Sequence, residues 1–301
     1  MENYIIKPAD QFESGVIEYF YPTNDVPIGI AFQWECMKHI RMRPAELTVW
    51  AGINGHGKSM IVSQVALMIA QAKEKTVIAS FEMPAVKTLG RMVKQATGSF
   101  NPTKKEIKEC LAWMKDYIHV YDFVGRGNIN MMLDNFRIAC ESEGATHFVI
   151  DSLMKCGLAE DDYSKQKFLV EDFHNAAMKL HAHVHLIAHA RKSKDESDKP
   201  GKMDVSGSAG ITNIADNVYT VWRNKPKEAK RNDCLRKRTI VPYDLDNQPD
   251  CIVECVKSRE QGGDAENQYY LWYDHKTNQY LDENRTVISY LPAEDVPFEI
   301  P

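Results

Sequence analysis

The sequence of 301 residues contains no run of roughly 18 uncharged apolar residues, the length that a membrane-spanning helix needs. Its first residues have neither the apolar core of a signal peptide nor the acid-free, Arg-rich composition of an organelle transit peptide. These absences argue against a membrane or secreted protein. We therefore expect a cytoplasmic location and no membrane partner.

Cysteines are few and show no paired spacing. None of the seven belongs to a Cys-x-x-Cys unit: they are Cys36, Cys110, Cys140, Cys156, Cys234, Cys251 and Cys255. Their odd number argues against a disulfide framework, and their scatter argues against a structural zinc site. We expect free thiols in a reducing compartment.

Neither sign of charge dominates the sequence. The 37 Lys and Arg residues are balanced by 42 Asp and Glu residues, which gives a formal net charge of −5. This balance argues against a surface that is basic all over. It leaves a local basic channel open, because phosphate binding depends on where the cations lie.

A phosphate-binding loop is the most informative feature that is present. Gly52, Asn54, Gly55, His56, Gly57, Lys58 and Ser59 belong to a segment with the spacing Gly, four residues, Gly-Lys-Ser. A short β-rich run precedes it and an apolar pattern of helical period follows it, so backbone amides and a helix N-terminus would face an anion. Lys58 would reach the terminal phosphates and Ser59 would bind Mg²⁺. The alternative is a chance glycine-rich turn.

Strand-like and helix-like segments alternate after residue 30, which predicts an α/β fold with a central, mostly parallel sheet. The predicted strands are Leu47–Ala51, Thr76–Glu82, Ile118–Phe123, His147–Asp151, Val184–Ala190 and Val218–Arg223. Hairpin spacing from residue 251 to 282 predicts antiparallel strands that extend the sheet.

Three segments interrupt this alternation. Residues 1–28 have little periodicity and are interpreted as an arm or linker, which packs on a neighbouring subunit or is a disordered tail. Residues 29–301 are predicted to form one motor domain. Residues 191–207 and 224–250 are predicted to be long loops, because both are polar, charged and contain proline.

Two carboxylates end predicted parallel strands, at the edge of the sheet where such folds bind ligands. Glu82 follows the strand after the phosphate loop and is the candidate general base that orients the attacking water. Asp151 ends a later strand and is the candidate second ligand of Mg²⁺, through water.

Several motifs together resemble the ring-forming replicative helicases of the DnaB type, most of all the branch of phage primase-helicases and the mitochondrial helicase Twinkle. They occur in the family's order over roughly residues 30 to 282, and they are Glu82-Met83-Pro84, the Asp151 strand, Leu186–Lys192, Gly207-Ser208-Ala209 and Ala215–Val218. The resemblance implies a RecA-like P-loop NTPase core in a homo-hexamer. It also implies ATP between subunits, single-stranded DNA in the central channel and 5′ to 3′ movement, in a bacterial or phage-infected cell.

The resemblance assigns further residues to the nucleotide. His189 matches the position that senses the γ-phosphate. Lys257 and Arg259 match a pair that reaches the next subunit's nucleotide, with Arg259 as the arginine finger; the alternative is a solvated pair on an edge strand. Tyr273 resembles the aromatic that stacks on the base, with Tyr269, Tyr270 and Trp272 as competing assignments.

Four closely spaced histidines have an alternative interpretation. Taken alone, His181, His183, His185 and His189 would suggest a metal cluster, since alternate residues on a strand share a face. We expect His181 and His183 to lie at a helix end instead. No cysteine or carboxylate stands near them at ligand spacing, which argues against the metal.

A DNA-facing segment is also implied by the resemblance. Its residues are Arg191, Lys192, Lys194, Lys202, Gly207, Ser208, Ala209 and Gly210, and their cations would neutralise phosphates without reading sequence. A second basic cluster is a further DNA contact or an exposed insertion: Arg223, Lys225, Lys227, Lys230, Arg231, Arg236, Lys237 and Arg238.

The sequence departs from the family where a zinc-binding cysteine cluster and a primase domain would precede the motor. Primer synthesis is therefore not expected, although a separate primase or polymerase is a possible partner. Ser206 stands where a relative can carry a basic residue. We expect an ATP- and Mg²⁺-dependent DNA helicase motor; the alternatives are a RecA-like ATPase that coats or remodels DNA, and an ATP-gated ring assembly factor.

Overall fold

The sheet of the computed structural model follows the predicted alternation of strands and helices. The structure describes residues 7–21, 28–123, 129–152, 163–189, 209–260 and 267–292, with residues 163 and 209 described by backbone alone. The strands are β1 (Ile30–Ala31), β2 (Arg41–Met42), β3 (Leu47–Gly52), β4 (Lys75–Ser80), β5 (Ile118–Val120), β6 (Ala145–Asp151), β7 (His183–His189), β8 (Asn217–Arg223), β9 (Cys251–Ser258), β10 (Asn267–Asp274) and β11 (Gln279–Leu281).

Helices connect most of these strands. They are α1 (Glu13–Phe20), α2 (Lys58–Gln71), α3 (Ala85–Thr97), α4 (Lys104–Met114), α5 (Ile129–Ile138), α6 (Tyr163–Leu180), α7 (Ala209–Ile214), α8 (Lys225–Lys237) and α9 (Tyr243–Asp246). No helix in the described part of the chain combines the length and apolar character needed to cross a membrane.

The main sheet has the strand order β11-β10-β9-β8-β3-β7-β6-β4-β5 among the described residues. The six strands from β8 to β5 are parallel, and β9, β10 and β11 extend the sheet antiparallel. The predicted fold class is thus confirmed, including the antiparallel C-terminal extension. Parallel strands buried on both faces need no polar alternation, which is why β3 is buried at every position.

Two apolar layers cover the sheet. One packs helices α2, α3 and α4 and the N-terminal Trp34 on one face, and the other packs α5, α6 and α7 on the opposite face. Trp34 Nε1 donates to the backbone oxygen of Tyr280 at 2.8 Å, and Gln64 of α2 donates to the same oxygen at 2.9 Å. These bonds fix β11 against α2.

Residues 224–250 are not a long loop, so that prediction was wrong. Helix α8 fills the first half and the short helix α9 follows. The Asn224 side chain caps α8 by accepting the backbone N–H of Lys227 at 3.1 Å, and Pro226 lies in the first turn, where its missing N–H costs nothing. Lys227 is buried and its ammonium binds Asp250 at 2.6 Å. A helix that is polar all round gives no apolar period to detect.

A buried histidine stack lies between β6 and β7. The ring centroids of His147 and His185 are 5.6 Å apart, and those of His183 and His185 are 4.4 Å apart. Thr48 Oγ1 lies 2.9 Å from His183 Nε2. His183 therefore belongs to a strand, and the expectation that it lies at a helix end was wrong. No described group of three or more His, Cys, Asp or Glu side chains is placed to hold a metal ion.

We expect the free energy of unfolding to fall as the pH drops below the ordinary histidine pKa of 6.5. Burial lowers the pKa of His147 and His185 well below that value, and lowers the pKa of His183 to about 4. Because protonation then favours the unfolded chain, the stabilisation is complete above 6.5 and is lost toward the folded-state pKa. Each histidine contributes up to about 1.4 kcal/mol per pH unit.

Urea unfolding measured at several pH values checks this expectation. Replacing the buried His185 by Gln should reduce the acid slope by up to one proton, whereas His275→Gln at an exposed position should leave it unchanged. Equal slopes for the wild-type protein and His185→Gln would contradict the assignment.

Candidate nucleotide site

The predicted phosphate loop joins the end of β3 to the start of α2. Gly55 and Gly57 have φ angles of +78° and +88°, which side chains with a Cβ rarely adopt. A Cβ at Gly57 would lie 1.9 Å from Tyr280 Oη, so this position accepts only glycine. The buried Tyr280 of β11 therefore supports the loop from beneath, a contact that the sequence pattern did not reveal.

Lys58 is folded back over its own loop. Its ammonium donates to the backbone oxygens of Gly52 at 2.9 Å and Ile53 at 3.0 Å. Burial lowers the pKa of Lys58 to about 8, although the charges of Asp151 and Glu82 oppose that shift. An anion bound in the loop would supply the counter-charge that the buried ammonium needs.

The carboxyl ends of four strands meet at the loop. Gly52 of β3 is in register with His189 of β7, and Ser80 of β4 is in register with Asp151 of β6. Glu82 lies two residues beyond the end of β4. The fold thus brings together the side chains that the sequence predicted for catalysis.

Glu82, Ser152 and His189 form a compact polar group. Ser152 Oγ donates to Glu82 Oε1 at 2.8 Å, and His189 Nε2 lies 3.4 Å from both Glu82 Oε1 and Ser152 Oγ. The hydrogen bond from His189, followed by that from Ser152, holds the pKa of Glu82 at about 2 against the opposing effect of burial. Glu82 is therefore a carboxylate at neutral pH.

Asp151 offers a buried oxygen that fits a cation. Its Oδ1 is buried and has no hydrogen-bond partner. Burial raises the pKa of Asp151 to about 6, while a hydrogen bond from Ser59 lowers it. A carboxylate next to a hydroxyl supplies the oxygen ligands that Mg²⁺ prefers, so the residues present fit this ion.

A pocket extends from this carboxylate to helix α3. Its polar lining includes Ser59, Ser80, Asp151, Thr88 and Arg91. The sequence prediction missed Thr88 and Arg91. Their spacing of three on α3, next to the apolar Met92, was the available signal, since residues at i and i+3 share a helix face.

His56 and Arg223 tie the loop to β8. The buried His56 ring accepts the backbone N–H of Arg223 through Nδ1 at 3.2 Å, and the Arg223 side chain donates to the Gly55 oxygen at 3.4 Å. Arg223 also donates to Glu228 of α8 at 2.6 Å. The His56 ring therefore points into the fold, which leaves its backbone as the group that faces the loop.

Lys257 and Arg259 bind the C-terminal end of α7 in their own chain. Lys257 Nζ donates to the oxygens of Thr212, Asn213 and Ala215 at 2.6 to 2.9 Å. Arg259 donates to Asp216 Oδ1 at 2.7 Å and to the oxygens of Asn213 and Ile214. These cations satisfy carbonyls that a helix end leaves without partners.

Tyr273 lies beside the support of the loop. Its ring centroid is 5.0 Å from that of Tyr280, and its Oη donates to Asn278 at 2.9 Å. Burial raises the pKa of Tyr273, while the nearby charges of Arg223 and Arg91 lower it. Of the competing aromatics, Trp272 instead packs against Arg285 at 5.8 Å.

The segment predicted to face DNA is only partly described. Arg191, Lys192, Lys194, Lys202, Gly207 and Ser208 lie outside the described residues, and Ala209 and Gly210 begin α7. Most of the second basic cluster lies on α8, where Asp233 binds Lys237 at 2.6 Å. Together with the buried Lys227, this pair reduces the cations that the cluster can offer to a ligand.

Comparison with known proteins places this geometry in a family. The model of the AAA domain family matches residues 33–195. A solved helicase ATPase domain superposes with a TM-score of 0.71 at 15% identity, over 92% of this chain and 99% of that domain. A DnaB-like replicative helicase, solved in a study of its interactions with primase, superposes with a TM-score of 0.70 at 14% identity, over 91% of this chain and 68% of that one.

The two superpositions confirm the predicted resemblance at the level of the fold: the structure is that of a helicase-type ATPase domain. Because the AAA domain model matches more than half of its residues, the chain belongs to the AAA domain family.

Proposed function

We propose that this chain is the motor domain of an ATP-driven DNA helicase that moves 5′ to 3′ on single-stranded DNA. The observation that carries the proposal is the meeting of Lys58, Glu82, Asp151 and His189 at the carboxyl edge of one sheet. A phosphate cradle, a carboxylate in position to orient water and a sensor of the γ-phosphate are the parts that nucleotide hydrolysis requires.

In this proposal, ATP binds the loop from Gly52 to Ser59, and Ser59 and Asp151 would hold Mg²⁺. When bound, magnesium neutralises charge on the phosphate oxygens. Glu82 accepts the proton of the attacking water, and His189 exchanges its contact with Glu82 for one with the γ-phosphate. Tyr273 stacks on the base.

We further propose that residues 29–301 form the motor and that the protein works as a homo-hexamer, in the cytoplasm of a bacterial or phage-infected cell. Helix α1 of the arm has no buried residue, and its Val16, Ile17 and Phe20 are each more than half exposed. An exposed apolar helix surface at the start of the chain suits docking on the next subunit. A separate primase or polymerase would act on the same DNA.

Hydrolysis in one subunit would depend on the next. To reach a neighbouring nucleotide, Lys257 and Arg259 must leave the carbonyls of α7. Because α7 begins directly after the segment proposed to hold DNA, release of its end would link the nucleotide state to the grip on the strand. The surface of one subunit thus completes the site of another.

A forked DNA substrate tests the proposed function. We expect ATP-dependent strand separation together with hydrolysis that DNA stimulates. Stimulated hydrolysis without unwinding at any ATP concentration would indicate an ATPase that coats or remodels DNA. Hydrolysis indifferent to DNA would indicate an assembly factor that ATP gates.

Replacing Lys192, Lys194 and Lys202 by Ala should weaken single-stranded DNA binding equally for all sequences. Each lost phosphate contact should reduce the slope of log K against log salt by about 0.7. Titrations at several salt concentrations measure the slope, with Lys104, Lys105 and Lys108 of α4 replaced as a control of equal charge. A slope that stays at the wild-type value would remove the segment from the DNA contacts.

A further inference from the structure

Ser152 is a buried hydroxyl at the reacting end of the sheet. It follows Asp151, the last residue of β6, and its side chain is fully buried. Its Oγ donates to Glu82 Oε1 at 2.8 Å, the length of a good O–H···O hydrogen bond. Ser152 comes from one strand and Glu82 from the neighbouring strand, so the bond joins β6 to the segment after β4.

The Glu82 carboxylate depends on such bonds for its orientation. About a third of the side chain is exposed (34%), so packing alone does not fix its rotamer. Within the described ranges, its hydrogen-bonding side-chain partners are Ser152 and His189. If His189 turns to the γ-phosphate, Ser152 is the remaining side-chain donor that can hold the carboxylate in place.

We propose that Ser152 is a positioning residue for hydrolysis: its hydroxyl holds the Glu82 carboxylate in the direction of the attacking water throughout the exchange of His189. This inference rests on the proposed role of Glu82 as the base. Ser152 contacts neither phosphate nor water in this proposal. Its effect passes through Glu82 alone.

The proposal predicts a specific kinetic pattern. A reacting group displaced by about 1 Å can cost on the order of 10²-fold in rate, whereas the binding of substrate is unaffected if the group does not contact it. Ser152→Ala should therefore lower kcat roughly 10- to 100-fold and leave the KM for ATP within about twofold. Ser152→Thr, which keeps the hydroxyl, should restore most of the rate.

Matched variants separate positioning from folding. Ser63→Ala also removes a hydroxyl from the lining of the pocket, but that hydroxyl donates to Gln95 at 2.7 Å and not to Glu82. It should keep the wild-type kcat. Affinity for a non-hydrolysable ATP analogue and the melting temperature of Ser152→Ala should both match those of Ser63→Ala.

A double-mutant cycle with Glu82→Gln completes the test and does not require Ser152→Thr to fold. Because Ser152 acts through Glu82, adding Ser152→Ala to Glu82→Gln should cause no further loss of kcat. A further loss, a wild-type kcat for Ser152→Ala, or equal losses of analogue affinity and kcat would each overturn the inference while leaving the proposed function intact. A wild-type kcat for Glu82→Gln would overturn both.

Discussion

Glu82→Gln is expected to lower ATP turnover by about 10² to 10⁴-fold, the usual contribution of a general base, while ATP binding is retained. The amide has the shape of the carboxylate but cannot accept a proton. The pKa of Glu82 is about 2, so the wild-type residue is already ionised at neutral pH and the loss reflects the missing base.

Single-turnover hydrolysis and equilibrium binding of ATP measure the two quantities separately. Glu141→Gln provides the control, because Glu141 forms an exposed ion pair with Arg137 at 3.1 Å on another helix and should show wild-type turnover. Normal hydrolysis by Glu82→Gln would remove Glu82 from the proposed mechanism.

Arg259→Ala is expected to lower hydrolysis by about 10³ to 10⁵-fold, the range that an arginine at the transferring phosphate contributes. The effect should appear in the assembled protein, since Arg259 would act on the nucleotide of a neighbour. Steady-state ATPase measurements as a function of protein concentration test both points. Hydrolysis at the full rate by isolated monomers would contradict a shared site.

Mixing variants tests the shared site directly. A subunit with Arg259→Ala keeps its own Glu82, and a subunit with Glu82→Gln keeps its own Arg259. In an equal mixture, roughly a quarter of the interfaces should combine both intact residues, because each interface uses different surfaces of two subunits. Activity should therefore return on mixing, and its absence in every mixture would leave action in trans without support.

The intrachain bonds of Arg259 require their own control. Removing the guanidinium leaves Asp216 and the end of α7 without a partner, although the Arg259 side chain is half exposed and water can replace it (50%). Arg285→Ala removes a comparable set of bonds, to the carboxylate and backbone oxygen of Asp246. If the two variants melt alike and only Arg259→Ala loses hydrolysis, the loss is not one of folding.

The parts of the site that lie within one short segment could be predicted from the sequence. The phosphate loop needs only its glycines, Lys58 and Ser59 in the right order between a strand and a helix, and these are local properties. Glu82 and Asp151 were found because the end of a parallel strand is a position that sequence reveals. Ser152 escaped because a single serine has no pattern, and its importance arises only from its 2.8 Å contact with Glu82.

Charge patterns were the less reliable guide. Residues 224–250 were predicted to be a loop, yet α8 forms there because its Asn224 cap and the buried Lys227 stabilise a helix that has no apolar face. The spacing of Lys257 and Arg259 gave them a common face, but not the helix end that they bind in this chain. Side-chain partners distant in sequence are invisible to periodicity.

The sequence alone determined the class of this protein: a P-loop α/β fold with a triphosphate site at the carboxyl edge of its sheet. Backbone conformation and alternation of elements are set by neighbouring residues, so they are legible in the chain. The tertiary structure decided which side chains meet, namely Ser152 with Glu82, Tyr280 with Gly57, and Arg259 with Asp216. Those contacts depend on how strands and helices pack across long separations, and no local pattern encodes them.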